Sequence, residues 1–371
     1  MRVAIIHDWL TGMRGGERCL EIFCQLFPRA DLYTLLHIPG SVSTVIEGMA
    51  IRTSFVQNLP FSKRGYRKYL PLFPLAIESF NLKGYDLVLS CSHCVAKGVI
   101  PSPEGLHISY VLTPMRYAWD MYGEYFGETR SRMIPIFIHY LRMWDVTSSQ
   151  RVDRFLCISR HVENRIRTFY RREADVIHPP VETNRFRLRE QKENFFLIVS
   201  SLVPYKRIDL AIEAFNRLKF PLKVIGSGPE EKKLRSMAQS NVEFLGWLPD
   251  EAIAECYSKC RALIFPGEED FGIVPLEAMA SGRPVIAYGK GGALETVIAH
   301  DRPGGFKEGP PTGLFFGDPK IDSLIAAIEE FGRMEREFDP LAIRSHAMKW
   351  DTEIFKETIK GKISDIMGST C

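Results

Sequence analysis

Apolar residues along this chain fall into short dense runs rather than long alternations. RVAIIHDW opens the series, followed by YDLVLSC, HISYVL and RFLCIS, and later by FFLIVSSL, LKVIGSG, VEFLGW, ALIFPG and RPVIAYG. Runs this short, rich in Val, Ile, Leu and Phe, predict strands of parallel sheets covered on both faces. Helix-period stretches lie between them: Glu17 to Phe27 puts Leu20, Phe23 and Phe27 on one face, and His161 to Tyr170 follows RFLCIS. Strand, loop and helix repeated in this way predict α/β layers of Rossmann-like type. The Pro-Pro step in residues 177–186, IHPPVETNRF, separates two such series and reads as a linker. Two domains are therefore expected, 1–176 and 177–349. The closing segment 350–371 carries Ile354, Phe355, Ile359, Ile363 and Ile366 at helical spacing and is expected to pack back on the first domain.

A length of 371 residues accommodates two such domains. The 45% hydrophobic and 25% charged fractions exclude a largely disordered or collagen-like chain. A net charge of +3 is too small for bulk attraction to nucleic acid, so an anionic ligand must be held by a local cluster. The most apolar stretch, Ile134 to Trp144, is interrupted by His139 and Arg142 and is too short to span a bilayer. Asp8 stands where a signal peptide would continue its apolar core, so the opening reads as a strand. The eight cysteines lack the dense spacing of a disulfide framework and suit a reducing cytoplasm. Cys91, Cys94, Cys256 and Cys260 do not form a zinc pattern, and no metal site is expected.

Ligands of open α/β sheets bind beyond the carboxyl ends of the strands, so the loops after the apolar runs are where chemistry is expected. The first, Thr11 to Glu17, contains Gly15 and Gly16 ahead of a helix, where backbone N–H groups can hold a phosphate or carboxylate; an ordinary tight turn is the other reading. A dinucleotide fingerprint fails at Gly226-Ser-Gly228, because Glu231 stands in place of the third glycine, and no Gly-Lys-Ser/Thr loop occurs. Dehydrogenase and P-loop ATPase chemistry are thereby disfavoured.

The segment Phe265 to Gly282 is the most informative. An acidic loop leads into a helix whose first position suits Pro275, placing Glu269 in the loop and Glu277 in the first turn. Amides of Gly272, Ile273 and Val274 lie between these carboxylates, so a diphosphate can sit on the amides while the carboxylates accept hydrogen bonds from sugar hydroxyls. The competing reading makes Glu277 a helix cap and Glu269 a solvated loop charge.

EDFGIVPLEAMASGRPVIA resembles the E-x7-E signature of retaining glycosyltransferase family four, which has the two-Rossmann GT-B fold with parallel sheets facing across a cleft. TPMRYAWD, LVPYKRIDLAIEAF, VIGSGPEEKKL, FLGWL and GGALETV follow in the family's order, with greatest similarity to WbaZ-type mannosyltransferases of lipopolysaccharide O-antigen and exopolysaccharide assembly. The resemblance implies that Glu269 contacts the donor sugar, that backbone from Phe271 through Gly272 and Ile273 to Val274 contacts sugar and diphosphate, that Glu277 binds ribose hydroxyls and that Leu248 touches the base. It also makes Lys206 the diphosphate lysine; from the residues alone Lys206 could equally be a solvated helix-start residue. Two positions depart from the family: Ser201 replaces an arginine, whose charge Arg207 could supply, and Leu112 replaces a histidine near the reacting centre. Arg116 and Asp8 are then the polar candidates of the N-terminal domain, with His93 a third.

The expected activity is retaining transfer of mannose from GDP-mannose to a lipid-linked saccharide, without a metal cofactor. A catalytically silent nucleotide-sugar-binding partner of a polysaccharide assembly complex and a nucleotide-sugar epimerase are the alternatives. Lys63, Arg64, Arg67 and Lys68, interleaved with Phe61, Tyr66, Tyr69 and Phe73, suit an anionic membrane surface or acceptor; an amphipathic surface helix followed by a proline-rich turn is the other reading. The expected location is the cytoplasm, peripherally on the inner face of the plasma membrane.

Overall fold

The computed structural model describes residues 1–126, 133–300 and 309–369. Seven strands form the first sheet: β1 (Val3–His7), β2 (Asp31–Thr34), β3 (Ala50–Thr53), β4 (Leu87–Ser92), β5 (Leu106–Val111), β6 (Arg154–Cys157) and β7 (Asp175–Val176), in the order β3-β2-β1-β4-β5-β6-β7. Six form the second: β8 (Phe196–Val199), β9 (Leu222–Ile225), β10 (Val242–Gly246), β11 (Leu263–Phe265), β12 (Val285–Tyr288) and β13 (Gly313–Phe316), in the order β10-β9-β8-β11-β12-β13. Every strand pair is parallel. All residues of β1 and β4 are buried, which is why these strands read as unbroken apolar runs.

In each sheet the strand order reverses beside the first strand, between β1 and β4 and between β8 and β11. Connections leave the two central strands in opposite directions there and open a crevice at their carboxyl ends. The apolar pattern missed β2, β3, β7 and β13. Edge strand β3 has no buried residue and carries Arg52 and Thr53, so it leaves no hydrophobic signature.

The chain divides into one compact unit of residues 1–180 with 355–371 and a second of residues 181–354. The boundaries expected at 176/177 and 349/350 thus lie a few residues further on. At the crossovers the two connecting segments pair: Val181 N–H donates to Trp350 O at 2.9 Å, and Thr352 N–H to Val181 O at 3.2 Å. The closing helix Thr352–Gly368 buries Phe355, Ile359, Ile363 and Ile366, and Phe355 meets Phe23 and Tyr110 of the first unit at ring distances of 6.2 and 5.8 Å. Ile354, counted on the same face by spacing, is exposed because it sits one residue, about 100°, away from Phe355 on the helix.

Helix Met133–Ser149 is pinned to the first unit by a buried ion pair. Lys97 Nζ lies 2.7 Å from Asp145 Oδ1, while Asp145 Oδ2 accepts from Trp119 Nε1 at 2.8 Å and from Tyr170 OH at 2.9 Å. Lys97 also donates to the Asp145 carbonyl and Ser148 Oγ, both at 3.0 Å. Asp145→Ala strands the buried ammonium and two ring donors, and is expected to cost about 3–5 kcal/mol of stability, read from urea unfolding.

Candidate functional site

Three loops meet at the strand-order reversal of the second sheet. The loop after β8 is carried by Ser200 N–H, which donates to Ile225 O, and by Leu202 N–H, which donates to Ser227 O, both at 3.0 Å. It ends in the 3-10 turn Pro204–Lys206, and Arg207 follows with left-handed backbone, φ 52°. The loop after β11 lies directly against this turn: a Cβ on Gly267 would stand 2.8 Å from Lys206 Cα. The loop after β12 closes the third side, with Gly292 N–H donating to Glu269 O at 2.8 Å, and a Cβ on Gly292 would stand 2.2 Å from Phe271 Cα. Glycine at these two positions lets three backbones touch.

That contact brings Lys206 Nζ onto Glu269 Oε1 as an ion pair, with the side chains 19% and 12% exposed. Helix Ile273–Ala280 begins immediately beyond, after Gly272 in left-handed conformation, φ 99°. Pro275 is therefore the third helical residue rather than the first, and Glu277 the fifth rather than the third. At the fifth position Glu277 cannot cap the helix start. Its carboxylate instead accepts a hydrogen bond from Tyr257 OH at 3.0 Å and lies 3.6 Å from Arg185 Nη2. Burial, and then Glu277, push the Tyr257 phenol well above its ordinary range, so it stays a donor. The first-turn N–H groups of Gly272, Ile273 and Val274 have no acceptor within the helix, while Pro275 has no N–H. The amide cluster thus follows the lysine-paired Glu269 and precedes Glu277 along the chain, an arrangement able to hold an anion together with hydroxyl groups.

The other predicted residues of this unit lie around the same strand ends. Phe271 is buried, and Ile273 and Val274 are half-buried. Ser201 is exposed on the loop after β8, and Arg207 reaches Asp209 with Nε–Oδ1 3.3 Å, which shares its charge locally. Gly226 N–H donates to Gly246 O at 2.8 Å, and its Cα faces the Ser200 carbonyl too closely for any side chain, so its role is backbone packing. Leu248 is half-buried after the exposed Trp247.

Asp8, Gly15, Gly16 and Arg116 belong to the first unit. Asp8 is fully buried and cannot serve as a substrate-facing catalytic group. Its Oδ2 accepts from the N–H of His93 and Cys94 at 2.7 and 3.0 Å, and its Oδ1 from Val95 and Ala96 at 2.6 and 2.8 Å. Four donors fill the acceptor sites of one carboxylate, so Asp8 builds the loop after β4. That loop presents His93, whose Nδ1 lies 3.1 Å from Asp8 Oδ2 and whose ring stands edge-on to Trp9. Burial leads the causes that hold the His93 imidazole below its ordinary pKa. Gly15 is the first residue of helix Gly15–Leu26, and Arg14 N–H is taken by Glu17 Oε2 at 3.1 Å. A Cβ on Gly16 would stand 2.7 Å from Leu112 Cδ1. Arg116 is half-buried in the turn after Pro114.

Lys63, Arg64, Arg67 and Lys68 are all exposed, on the four-residue helix Ser62–Gly65 and the 3-10 segment Tyr66–Leu72 rather than on one amphipathic helix. The interleaved aromatics divide: Tyr66 and Phe73 enter the core, Tyr69 OH is bonded to Pro60 O, and Phe61 is 85% exposed.

Sequence reasoning missed Arg185, Tyr257, His7 and Glu17. Arg185 stood inside the linker, Tyr257 inside an ordinary helix, and His7 inside a strand. None carries a local signal of its partner.

Residues 180–344 match the family described as glycosyl transferases group 1. The match takes in all the loops of the Lys206–Glu269 site. The chain is 34% identical over 151 residues to an uncharacterized glycosyltransferase of Methanocaldococcus jannaschii, covering 39% of this chain and 43% of that protein. It is 37% identical over 102 residues to O-antigen chain mannosyltransferase C of Escherichia coli, covering 26% and 28%. A GDP-mannose-dependent monoacylated alpha-(1-6)-phosphatidylinositol monomannoside mannosyltransferase of Corynebacterium glutamicum is 32% identical over 179 residues, covering 43% and 44%. The chain spans less than half the length of these curated relatives. Sucrose-phosphate synthase from Thermosynechococcus elongatus superposes over 100% of both chains with TM-score 0.73 at 16% identity, which establishes the GT-B fold.

In the first unit, His7 Nε2 lies 3.7 Å from Glu17 Oε1, both side chains being buried. Burial alone would lower the imidazole, but Glu17 and then Asp8 outweigh it and leave His7 above its ordinary 6.5. Burial would raise Glu17, but His7 outweighs it and leaves the carboxyl below its ordinary 4.5. The raised His7 contributes stability that is full below pH 6.5 and fades as pH rises through its folded value; the lowered Glu17 contributes stability that is full above pH 4.5 and fades as pH falls through its folded value. Glu17→Gln is therefore expected to cost roughly 1–3 kcal/mol near pH 6 and less near pH 9, measured by urea midpoints at both.

Proposed function

We propose that this chain is a retaining glycosyltransferase that moves mannose from GDP-mannose to a hydroxyl of a lipid-linked saccharide in O-antigen or exopolysaccharide assembly. The Lys206–Glu269 pair, set against the amides of Gly272, Ile273 and Val274, carries this reading. The similarity to mannosyltransferases of O-antigen chains and of phosphatidylinositol mannosides supports the choice of sugar and acceptor class.

In this mechanism the donor diphosphate parts the resting ion pair. Phosphate oxygens take Lys206 and the helix amides, and sugar hydroxyls donate to the released Glu269 carboxylate. Glu277 accepts from the ribose hydroxyls. The bond from the anomeric carbon to the phosphate oxygen then breaks, with the electron pair and charge passing to the diphosphate. Lys206, Arg207 and the helix start stabilise that charge without a metal. The acceptor oxygen bonds the anomeric carbon from the same face and gives its proton to a diphosphate oxygen. On the acceptor side, His93 and Arg116 are the polar groups of the first unit assigned to saccharide contact.

The enzyme is proposed to act at the inner face of the plasma membrane, with Lys63, Arg64, Arg67 and Lys68 meeting anionic headgroups and exposed Phe61 entering the interface.

Incubation with radiolabelled GDP-mannose, membrane lipid extract and EDTA tests the transfer; isomerised sugar or binding without turnover would overturn it. In that assay Glu269→Ala is expected to lower the rate by at least about 100-fold. Glu277→Ala is expected to weaken donor binding by about tenfold, in line with loss of a charged hydrogen-bond acceptor. Replacing all four basic residues with Ser is expected to abolish sedimentation with vesicles containing phosphatidylserine, at roughly 1 kcal/mol per side chain, while leaving the melting temperature unchanged.

A further inference from the structure

The segment by which the chain enters the second unit reaches directly into the proposed donor site. Arg185 ends the 3-10 turn Thr183–Arg185, four residues after the crossover at Val181. The turn is held by Val181, paired with the 350–352 backbone, and by Thr183 Oγ1, which donates to Asp351. The Arg185 guanidinium meets three carboxylates. Nη1 bonds Asp250 and lies 3.5 Å from Glu182, and Nη2 lies 3.6 Å from Glu277 Oε1. Its carbon sits 5.1 Å over the Phe186 ring, and Phe186 meets the Tyr257 ring nearly edge-on at 5.7 Å. Tyr257 OH completes the circuit on the other oxygen, Glu277 Oε2.

One cation and one phenol therefore hold Glu277, each on a different oxygen. A partly buried carboxylate is costly without a compensating charge, and Arg185 supplies that charge from an anchored backbone.

We infer that Arg185 is a positioning residue for donor binding: with Tyr257 it orients and neutralises Glu277 for the ribose hydroxyls of the donor. The inference rests on the donor-site reading. It differs from a purely structural role, in which Arg185 only staples the crossover segment to Asp250 at the start of helix Asp250–Lys259.

Calorimetric titration of the full chain with GDP-mannose and with UDP-glucose, beside melting temperatures and steady-state kinetics, separates these roles. Arg185→Ala is expected to raise the donor Kd and KM about tenfold, with kcat at saturating donor changed less than about threefold. Arg185→Lys is expected to recover part of that loss. Asp250→Ala, which cuts the staple without touching Glu277, is expected to keep the wild-type Kd. In the double variant Arg185→Ala with Glu277→Gln the two losses in affinity are expected not to add, because one acts through the other. Wild-type Kd in Arg185→Ala, or additive losses in the double variant, would overturn the inference while leaving the donor site intact. If Arg185→Ala does not fold, the same cycle with Arg185→Lys decides. A wild-type chain that binds neither donor overturns the donor-site reading and this inference together.

Discussion

The site of the second unit depends on one close approach: the backbone at Gly267 running against the turn that carries Lys206. Two loops leave neighbouring strands β8 and β11, and only a glycine allows them to touch. The contact converts two separate loop charges into an ion pair shielded from bulk water, where opposite charges interact more strongly than at a free surface. Gly292 repeats the device from β12 and fixes the carbonyl of Glu269. The helix start, the lysine and the acidic loop are each common alone. Their juxtaposition is what gives the site its chemistry.

The two sheets share one winding pattern and each carries a carboxylate at its strand-order reversal, Asp8 after β1 and Glu269 after β11, yet the outcomes differ. Asp8 gives all of its acceptor capacity to four backbone amides and so becomes part of the framework. Glu269 instead pairs with the flexible ammonium of Lys206, which an anion can draw away. A saturated carboxylate shapes a loop; one balanced by an exchangeable partner can meet a ligand. His93 stands half-buried beside Asp8, held by the loop that Asp8 builds. Glu277 is intermediate, gripped by a cation, Arg185, and a phenol, Tyr257, on separate oxygens.

The basic segment illustrates how sequence composition divides on folding. Four cations remain outside, but Tyr66 and Phe73 are drawn into the core, and Tyr69 is tied to Pro60. The apolar surface left beside the charges is that of Phe61, Leu72 and Leu75. A four-residue helix ending at Gly65 and a 3-10 segment containing Pro71 stand where an amphipathic helix followed by a proline-rich turn was the alternative reading.

By itself the sequence determined the layered α/β architecture, the place of the linker, and the loops that carry Lys206, Glu269 and the Gly272–Val274 amides. Those features are local: buried parallel strands need apolar runs, tight loops need glycine, and both are written in consecutive residues. Strand β3 was invisible because an exposed edge needs no apolar run, and the helix bearing Glu277 started earlier than Pro275 suggested because Gly272 could turn left-handed. Tertiary structure alone decided that Asp8 is saturated, that Glu17 answers His7, and that Arg185 and Tyr257 hold Glu277. Each of those outcomes joins residues on different elements, and a charge or hydroxyl carries no mark of its partner until packing brings the two within a few ångströms.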